Sequence, residues 1–225
     1  MAKLHTALVT LAATLLTLLA LLATCTTALA AGVGESRERT PVALAPSVPG
    51  PAGPRTVATD SDATVSIPAI GVDDLTVVPY EGTTDDLAGT RIQDRAVAAS
   101  PRGDTGGVGP GETGNYLVTA HRLSAGGPLR DLPALREGDV VTVVEDGRTH
   151  RYEITETRST SFRSERSLAE QRAAVPGHPG ERPTRAMITL STCATPEDDA
   201  AGNHWRDEFG NPEHRIDKVG VLIDD

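Results

Sequence analysis

The chain has 225 residues, 38% of them hydrophobic, and one ordinary domain remains once its N-terminal segments are set aside. A formal net charge of −10, without a basic stripe, opposes binding to a phosphate backbone. Aromatic residues make up only 3% of the chain, which argues against a stacking platform for single-stranded nucleic acid.

The N-terminus reads as a targeting or anchoring element. Lys3 precedes a run free of Asp, Glu, Lys and Arg from Leu4 to Gly34, and its core, Ala7 to Leu22, is nearly all Ala, Leu and Thr. Residues 1–31 therefore fit three fates. They are an uncleaved membrane anchor, a signal peptide cleaved after the small-x-small stretch Ala28-Leu29-Ala30, or a segment lipidated at Cys25. Each fate puts the rest of the chain outside the cytoplasm. Residues 32–63 carry Pro41, Pro46, Pro49, Pro51 and Pro54 among Gly, Ala and Ser, and read as a disordered linker.

The folded part is expected over residues 64–225. Thr64 to Pro68 and Leu75 to Val78 are β-prone runs separated by Gly71 and an Asp73-Asp74 turn. Asp85 to Gly114 has no clear pattern, and its Gly103 to Gly114 part reads as a flexible loop. Asn115 to Ala120 is a strand that delivers His121 at its end. Pro128 to Leu135 reads as a short helix or turn. Val140 to Glu145 and His150 to Thr157 flank Asp146-Gly147, a hairpin signal. Ser167 to Val175 has a helical pattern, with Ser167 and Glu170 spaced as a capping box. Met187 to Ser191 and Ile216 to Ile223 are the last strands. Many short strands and few helices predict an all-β domain, a closed barrel or a sandwich.

Chemistry concentrates at Cys193, the only cysteine outside the N-terminal apolar run. It closes the stretch Arg185 to Cys193 and so stands at the C-terminal end of a strand. An exported protein normally pairs its cysteines, and Cys25 offers no plausible partner. An unpaired thiol there is either a nucleophile or a buried apolar cysteine. A thiol nucleophile needs an imidazole to handle protons and a donor for the oxyanion. His121 and Arg215 end or begin strands in the same way and are the candidates. His150, His178, His204 and His214 read as loop or strand-end residues, and His5 belongs to the N-terminal run. The spacing of Cys193, His204 and His214 fits no common zinc pattern, and no metal site is expected.

Together these residues resemble the sortase family. Thr189-Leu190-Ser191-Thr192-Cys193 matches the TLxTC signature, and Thr119-Ala120-His121-Arg122 resembles the strand end that carries the family's histidine. Arg215-Ile216 resembles the arginine that opens the last strand. Gly127 to Leu132, Leu135 and Gly138 to Val141 resemble the stretch that follows the histidine. Among sortases the chain is most similar to class E enzymes. The resemblance implies a closed eight-stranded β-barrel with one or two short helices, preceded by an N-terminal apolar helix and the linker. It implies a membrane-anchored cysteine transpeptidase of the outer cell surface. That enzyme cleaves an LPxTG-like or LAxTG-like sorting signal between Thr and Gly and passes the protein to a peptidoglycan amine. Catalysis would rest on His121, Cys193 and Arg215, Thr192 would contact substrate, and no cofactor is needed.

The chain departs from the family pattern in two places. Ala120 stands where Gly is usual, and Ala194 to His214 is a long polar insertion that brings in Arg206 as a rival to Arg215. Glu197-Asp198-Asp199, within it, reads as a solvated acidic loop before a calcium site, and Trp205 and Phe209 either wall the groove or pack the insertion. Two alternatives remain. One is another cell-wall cysteine enzyme, although Ser191-Thr192-Cys193-Ala194 lacks the Gly and Arg of the L,D-transpeptidase motif and the His-before-Cys order opposes an NlpC/P60-like peptidase. The other is a non-catalytic surface-anchored β-domain.

Overall fold

The computed structural model describes residues 61–224. The apolar run 1–31 and linker residues 32–60 lie outside the described residues. Among those described, no helix is long and apolar enough to cross a membrane.

Eight strands close into one barrel. In chain order they are β1 (Ala63–Ile67), β2 (Val72–Glu81), β3 (Ala98–Arg102), β4 (Gly114–Thr119), β5 (Val140–Glu145), β6 (Arg148–Ser161), β7 (Ala186–Cys193) and β8 (His214–Asp224). Around the barrel the order is β1-β2-β3-β4-β7-β8-β6-β5, and β5 returns to β1. The β2–β3 and β4–β7 pairs are parallel and the rest antiparallel. Closure leaves no free sheet edge, which settles barrel against sandwich. Three short helices decorate it: α1 (Leu87–Gln93), α2 (Glu165–Arg172) and α3 (Thr195–Ala200).

Period-two alternation builds the interior. Tyr116 and Val118 on β4, Tyr152 and Ile154 on β6, and Ile188 and Leu190 on β7 all join one buried core with Val65, Ile67, Val141 and Val143. Leu129, Leu132 and Leu135, from the segment read as a helix or turn, add to that core around a 3-10 turn at Leu132–Ala134. The strands β4 and β7 are also covered on their outer face. Asn115, Thr119, Thr189 and Ser191 are buried there, as for strands sandwiched on both sides. The β5–β6 hairpin turns on Asp146 (φ 49°) and Gly147 (φ 75°), the two positive φ values that a type I′ turn requires.

Four local expectations are corrected. Asp73 and Asp74 lie inside β2, and the chain turns earlier, in a 3-10 turn at Pro68–Ile70 ended by left-handed Gly71. The cap of α2 is Ser164, whose side chain accepts from Ser167 N–H, while Ser167 Oγ accepts from Ser161 N–H. The patternless stretch after Asp85 contains α1 and β3. Residues 103–114 are pinned rather than free: Gly107 N–H donates to Pro101 O and Val108 N–H to Asn115 O. A Cβ on Gly107 would run into Asn115 O, which explains the glycine.

Candidate active site

Strand register assembles the site. β7 lies between β4 and β8. The β7–β8 ladder ends with Cys193 opposite Arg215, and antiparallel partners project to the same face. The parallel β4–β7 ladder pairs Thr119 with Ser191, and beyond it Ala120 N–H donates to Ser191 O. His121 therefore leaves β4 beside Cys193, two residues beyond the Thr119–Ser191 pair and on its face. Ile188 and Leu190 point into the core, so alternation puts Cys193, His121 and Arg215 on the outer face of the barrel. The three candidates come together there, at the ends of three adjacent strands.

Each is held by its own partners. His121 Nε2 lies 3.0 Å from Asp94 Oδ1, at the end of α1. The Arg215 guanidinium is fully buried and stacks over Phe162, 4.1 Å from the ring centroid. Its Nε donates to Asp85 Oδ2 at 2.8 Å, and its Nη1 donates to Pro212 O at 3.1 Å. Its Nη2 is buried without a hydrogen-bond partner. An unpaired buried donor on a cation is costly unless a ligand uses it. Arg122 closes the other side. It donates from Nη1 to Cys193 O at 3.3 Å, from Nε to Arg130 O at 2.8 Å, and through both terminal nitrogens to the Glu197 carboxylate.

Thr192 has a different setting. Its hydroxyl donates to Ala120 O at 2.8 Å, and alternation turns the side chain to the face opposite Cys193. It ties β7 to the residue before His121, and its side chain is not brought to the thiol.

The electrostatics follow from burial. Burial pushes the Cys193 thiol up from its ordinary value, Arg215 and Arg122 pull it down, and Asp85 and Asp207 push it up. The resting thiol is therefore protonated near neutral pH. Burial works against the Arg215 charge, but Asp85 and Cys193 outweigh it and raise its pKa. Beneath the pair lies a second buried group, Asp217, opposite Ser191. It accepts from Gln171 Nε2 at 3.0 Å and from Thr160 Oγ1 at 2.5 Å, and its carboxyl is raised chiefly by burial.

The insertion folds into α3 and a return loop, and its charges have individual partners. Glu197 pairs with Arg122, Asp198 accepts from His214 N–H and lies 2.7 Å from its Nδ1, and Asp199 binds Arg206 at 2.6 Å. The three carboxylates thus diverge on α3 rather than in a loop, Glu197 and Asp199 exposed to solvent and Asp198 buried. Arg206 is turned to Asp199 and to Trp205 O, while Arg215 holds the position across from Cys193. His204 and His214 sit on different aspartates, His178 is exposed beside Glu181, and His150 is buried in β6. Among the described residues no cluster of three His, Cys, Asp or Glu would hold a metal ion.

Sequence reading missed Asp85 and Asp94. Asp86, beside Asp85, is recognisable as the cap of α1, but nothing in the sequence links Asp85 to an arginine 130 positions away.

A sortase domain model matches residues 65–205, more than half of the chain. Arg215 lies beyond that range and owes its place here to strand register. No curated protein matches the chain. Several solved structures do. The SrtA sortase of Actinomyces oris is 19% identical with a TM-score of 0.53, over 72% of this chain and 79% of that one. Sortase E of Streptomyces avermitilis is 25% identical (TM-score 0.51), over 72% and 87%. Sortase E1 of Streptomyces coelicolor, solved with a tripeptide in its active site, is 23% identical (TM-score 0.52), over 72% and 88%. With the domain match, the closed barrel and these similar structures in agreement, the chain belongs to the sortase family of cysteine transpeptidases.

Proposed function

We propose that Cys193, His121 and Arg215 are the catalytic residues of a surface sortase acting on an LPxTG-like or LAxTG-like sorting signal. The observation that carries this reading is the register of β4, β7 and β8, which puts an imidazole and a guanidinium on either side of a free thiol. His121 takes the proton of the resting Cys193 thiol, and the thiolate so formed adds to the Thr carbonyl of the signal. The unpartnered Arg215 Nη2 donates to the oxyanion as charge develops. His121 passes its proton to the Gly nitrogen, the Thr–Gly bond breaks, and a thioester on Cys193 remains. A peptidoglycan amine then attacks the thioester, His121 takes its proton, and the thiolate leaves. Two moderate barriers replace one high one. Thr192 is assigned to holding the strand ends, since its hydroxyl is engaged with Ala120.

The resemblance to class E sortases implies Ala in the second position of the signal, and the likeness to sortase E of Streptomyces avermitilis supports that class. Residues 1–31 would attach the enzyme to the outer face of the membrane, and residues 32–60 would link it to the catalytic domain, whose first strand starts at Ala63. The full chain, in mild detergent, should cleave a quenched Leu-Ala-x-Thr-Gly peptide between Thr and Gly and transfer the acyl part to an added amine. Equal cleavage by Cys193→Ala would overturn the reading.

A further inference from the structure

The turn between β2 and α1 carries an aspartate whose setting differs from that of an ordinary loop residue. Asp85 has φ 57°, a left-handed backbone that is uncommon for non-glycine residues and that Asp tolerates better than most. Its neighbours are held in place. Arg172 Nη1 donates to Thr83 Oγ1 at 3.1 Å, and Tyr80 Oη donates to Thr83 O at 2.6 Å. Thr84 Oγ1 donates to Gln171 Oε1 at 2.9 Å, and Asp86 accepts from Thr83 N–H and Gly89 N–H. The turn is thus clamped to β2, α1 and α2 around one residue.

The clamped residue points its carboxylate inward. The Asp85 side chain is 8% exposed and the Arg215 side chain 1%. Oδ2 accepts from Arg215 Nε at 2.8 Å, and Oδ1 accepts from Gln93 Nε2 at 2.8 Å. Gln93 also donates to Thr119 Oγ1 at 3.1 Å, two residues before His121. Both Asp85 oxygens are therefore used, one toward the arginine strand and one toward the histidine strand.

This geometry has a consequence for the guanidinium. Its Nε edge is fixed by Asp85 and its Nη1 by the backbone carbonyls of Pro212 and His214. Only Nη2 stays unpartnered. A planar fork held at two of its three nitrogens keeps the third aimed in one direction.

We propose that Asp85 is a positioning residue for Arg215, fixing the guanidinium so that its free Nη2 donor is preorganised for the substrate carbonyl. The proposal rests on Arg215 being the oxyanion donor of the reading above. Asp85 touches no reacting atom and acts through the arginine, so its removal lowers kcat more than it raises KM. It also has an electrostatic signature. The charges around the Cys193 thiol are Arg215 from β8, Arg122 from the segment after β4, Asp207 from the insertion and Asp85 from the β2–α1 turn, and the β4–β7 register brings the end of β4, with His121, alongside. Asp85 is one of the two anions in this set. Its neutralisation lowers the thiol pKa and speeds alkylation at a fixed neutral pH, although catalysis slows.

The test uses the full chain with Asp85→Asn, Asp85→Ala and Arg215→Ala. It reads kcat and KM for peptide cleavage, the pH profile of Cys193 alkylation by iodoacetamide, and the melting temperature. The expected result is a fall in kcat of about 10- to 100-fold in Asp85→Asn with KM within about three-fold, and an alkylation profile moved to lower pH. An unchanged kcat in Asp85→Asn while Arg215→Ala is inactive overturns the proposal and leaves the arginine assignment standing. A rise in kcat also overturns it, since Asp85 would then be a plug on the arginine. Full activity in Arg215→Ala sinks the underlying reading instead. If Asp85→Ala melts too low to assay, Asp85→Asn, which keeps the size and one acceptor, carries the test.

Discussion

Cys193 and Arg215 face each other near the end of the β7–β8 ladder, one pair before the chain departs into the insertion. Ala194 N–H donates to His214 O, so the pair after them is hydrogen-bonded and Cys193–Arg215 is a non-hydrogen-bonded pair. Side chains in such pairs approach most closely, with Cβ atoms about 4.5–5.5 Å apart. The ladder thus holds a cation against the thiol without a loop having to do so. Replacing Arg215 with Ala should lower kcat by about 10²- to 10³-fold, the loss typical of one oxyanion donor. It should also move the alkylation profile of Cys193 to higher pH, because the cation that favours the thiolate is gone. Enzyme assays and iodoacetamide kinetics on the same variant check both.

His121 should be the more sensitive member of its pair with Asp94. The histidine side chain is 12% exposed and the aspartate 60%. A solvent-facing carboxylate orients an imidazole weakly compared with a buried one. We expect His121→Ala to reduce kcat by about 10²- to 10⁴-fold, the range of a lost general acid. We expect Asp94→Ala to reduce it by only about 3- to 10-fold, the solvent-facing contact making the smaller contribution. Comparable losses in a steady-state assay would mean that Asp94 has a larger part.

Arg122 joins three pieces of chain at once: the Cys193 carbonyl, the Arg130 carbonyl and Glu197 on α3. Contact with its guanidinium lowers the Glu197 pKa below the usual carboxylate value. Glu197 is about half exposed, so the ion pair itself contributes little. The two carbonyl bonds matter more. Arg122→Ala should destabilise the domain by about 1–2 kcal/mol in urea unfolding, the scale of a few charged hydrogen bonds. Glu197→Gln should change stability by less than about 0.5 kcal/mol.

Asp217 gives a pH signature of its own. Its carboxyl is raised by burial, so folding favours the protonated form. Its contribution to stability is complete below the ordinary carboxylate pKa and is lost as pH rises through the native value. Asp217→Asn keeps an acceptor for Gln171 and cannot ionise. The stability difference between Asp217→Asn and the parent should therefore grow in favour of the variant as pH rises from about 4. Urea melts at a series of pH values measure it, and a difference that stays constant would contradict a buried proton on Asp217.

The strands and the three strand ends were legible because each left a local mark, while closure into a barrel rather than a sandwich was implied only by the sortase resemblance. Alternation marked β4, β7 and β8, and the Asp146-Gly147 pair marked the hairpin. The missed elements share one property. In β3, Ala98 to Arg102, all five residues are buried, but only the two alanines are apolar by ordinary count, so periodicity had nothing to read. The seven-residue helix α1 contains Gly89 and, after it, three polar residues, Thr90, Arg91 and Gln93. Asp85 and Asp94 were invisible for a different reason. Their partners come from distant strands, and side-chain pairings across a barrel leave no trace in sequence spacing. The insertion looked like a break in the family pattern, but α3 and its ion pairs return the chain to Arg215 in register.

The most direct test of the central claim is to look for the covalent intermediate. The full chain would be mixed with an LAxTG-like peptide without an acceptor amine, quenched in acid and mapped by mass spectrometry. The account predicts an adduct of the peptide's acyl fragment, ending at Thr, on Cys193, released by hydroxylamine and absent in Cys193→Ala. Peptide cleavage with no acyl group on Cys193, or an adduct on another residue, would contradict it.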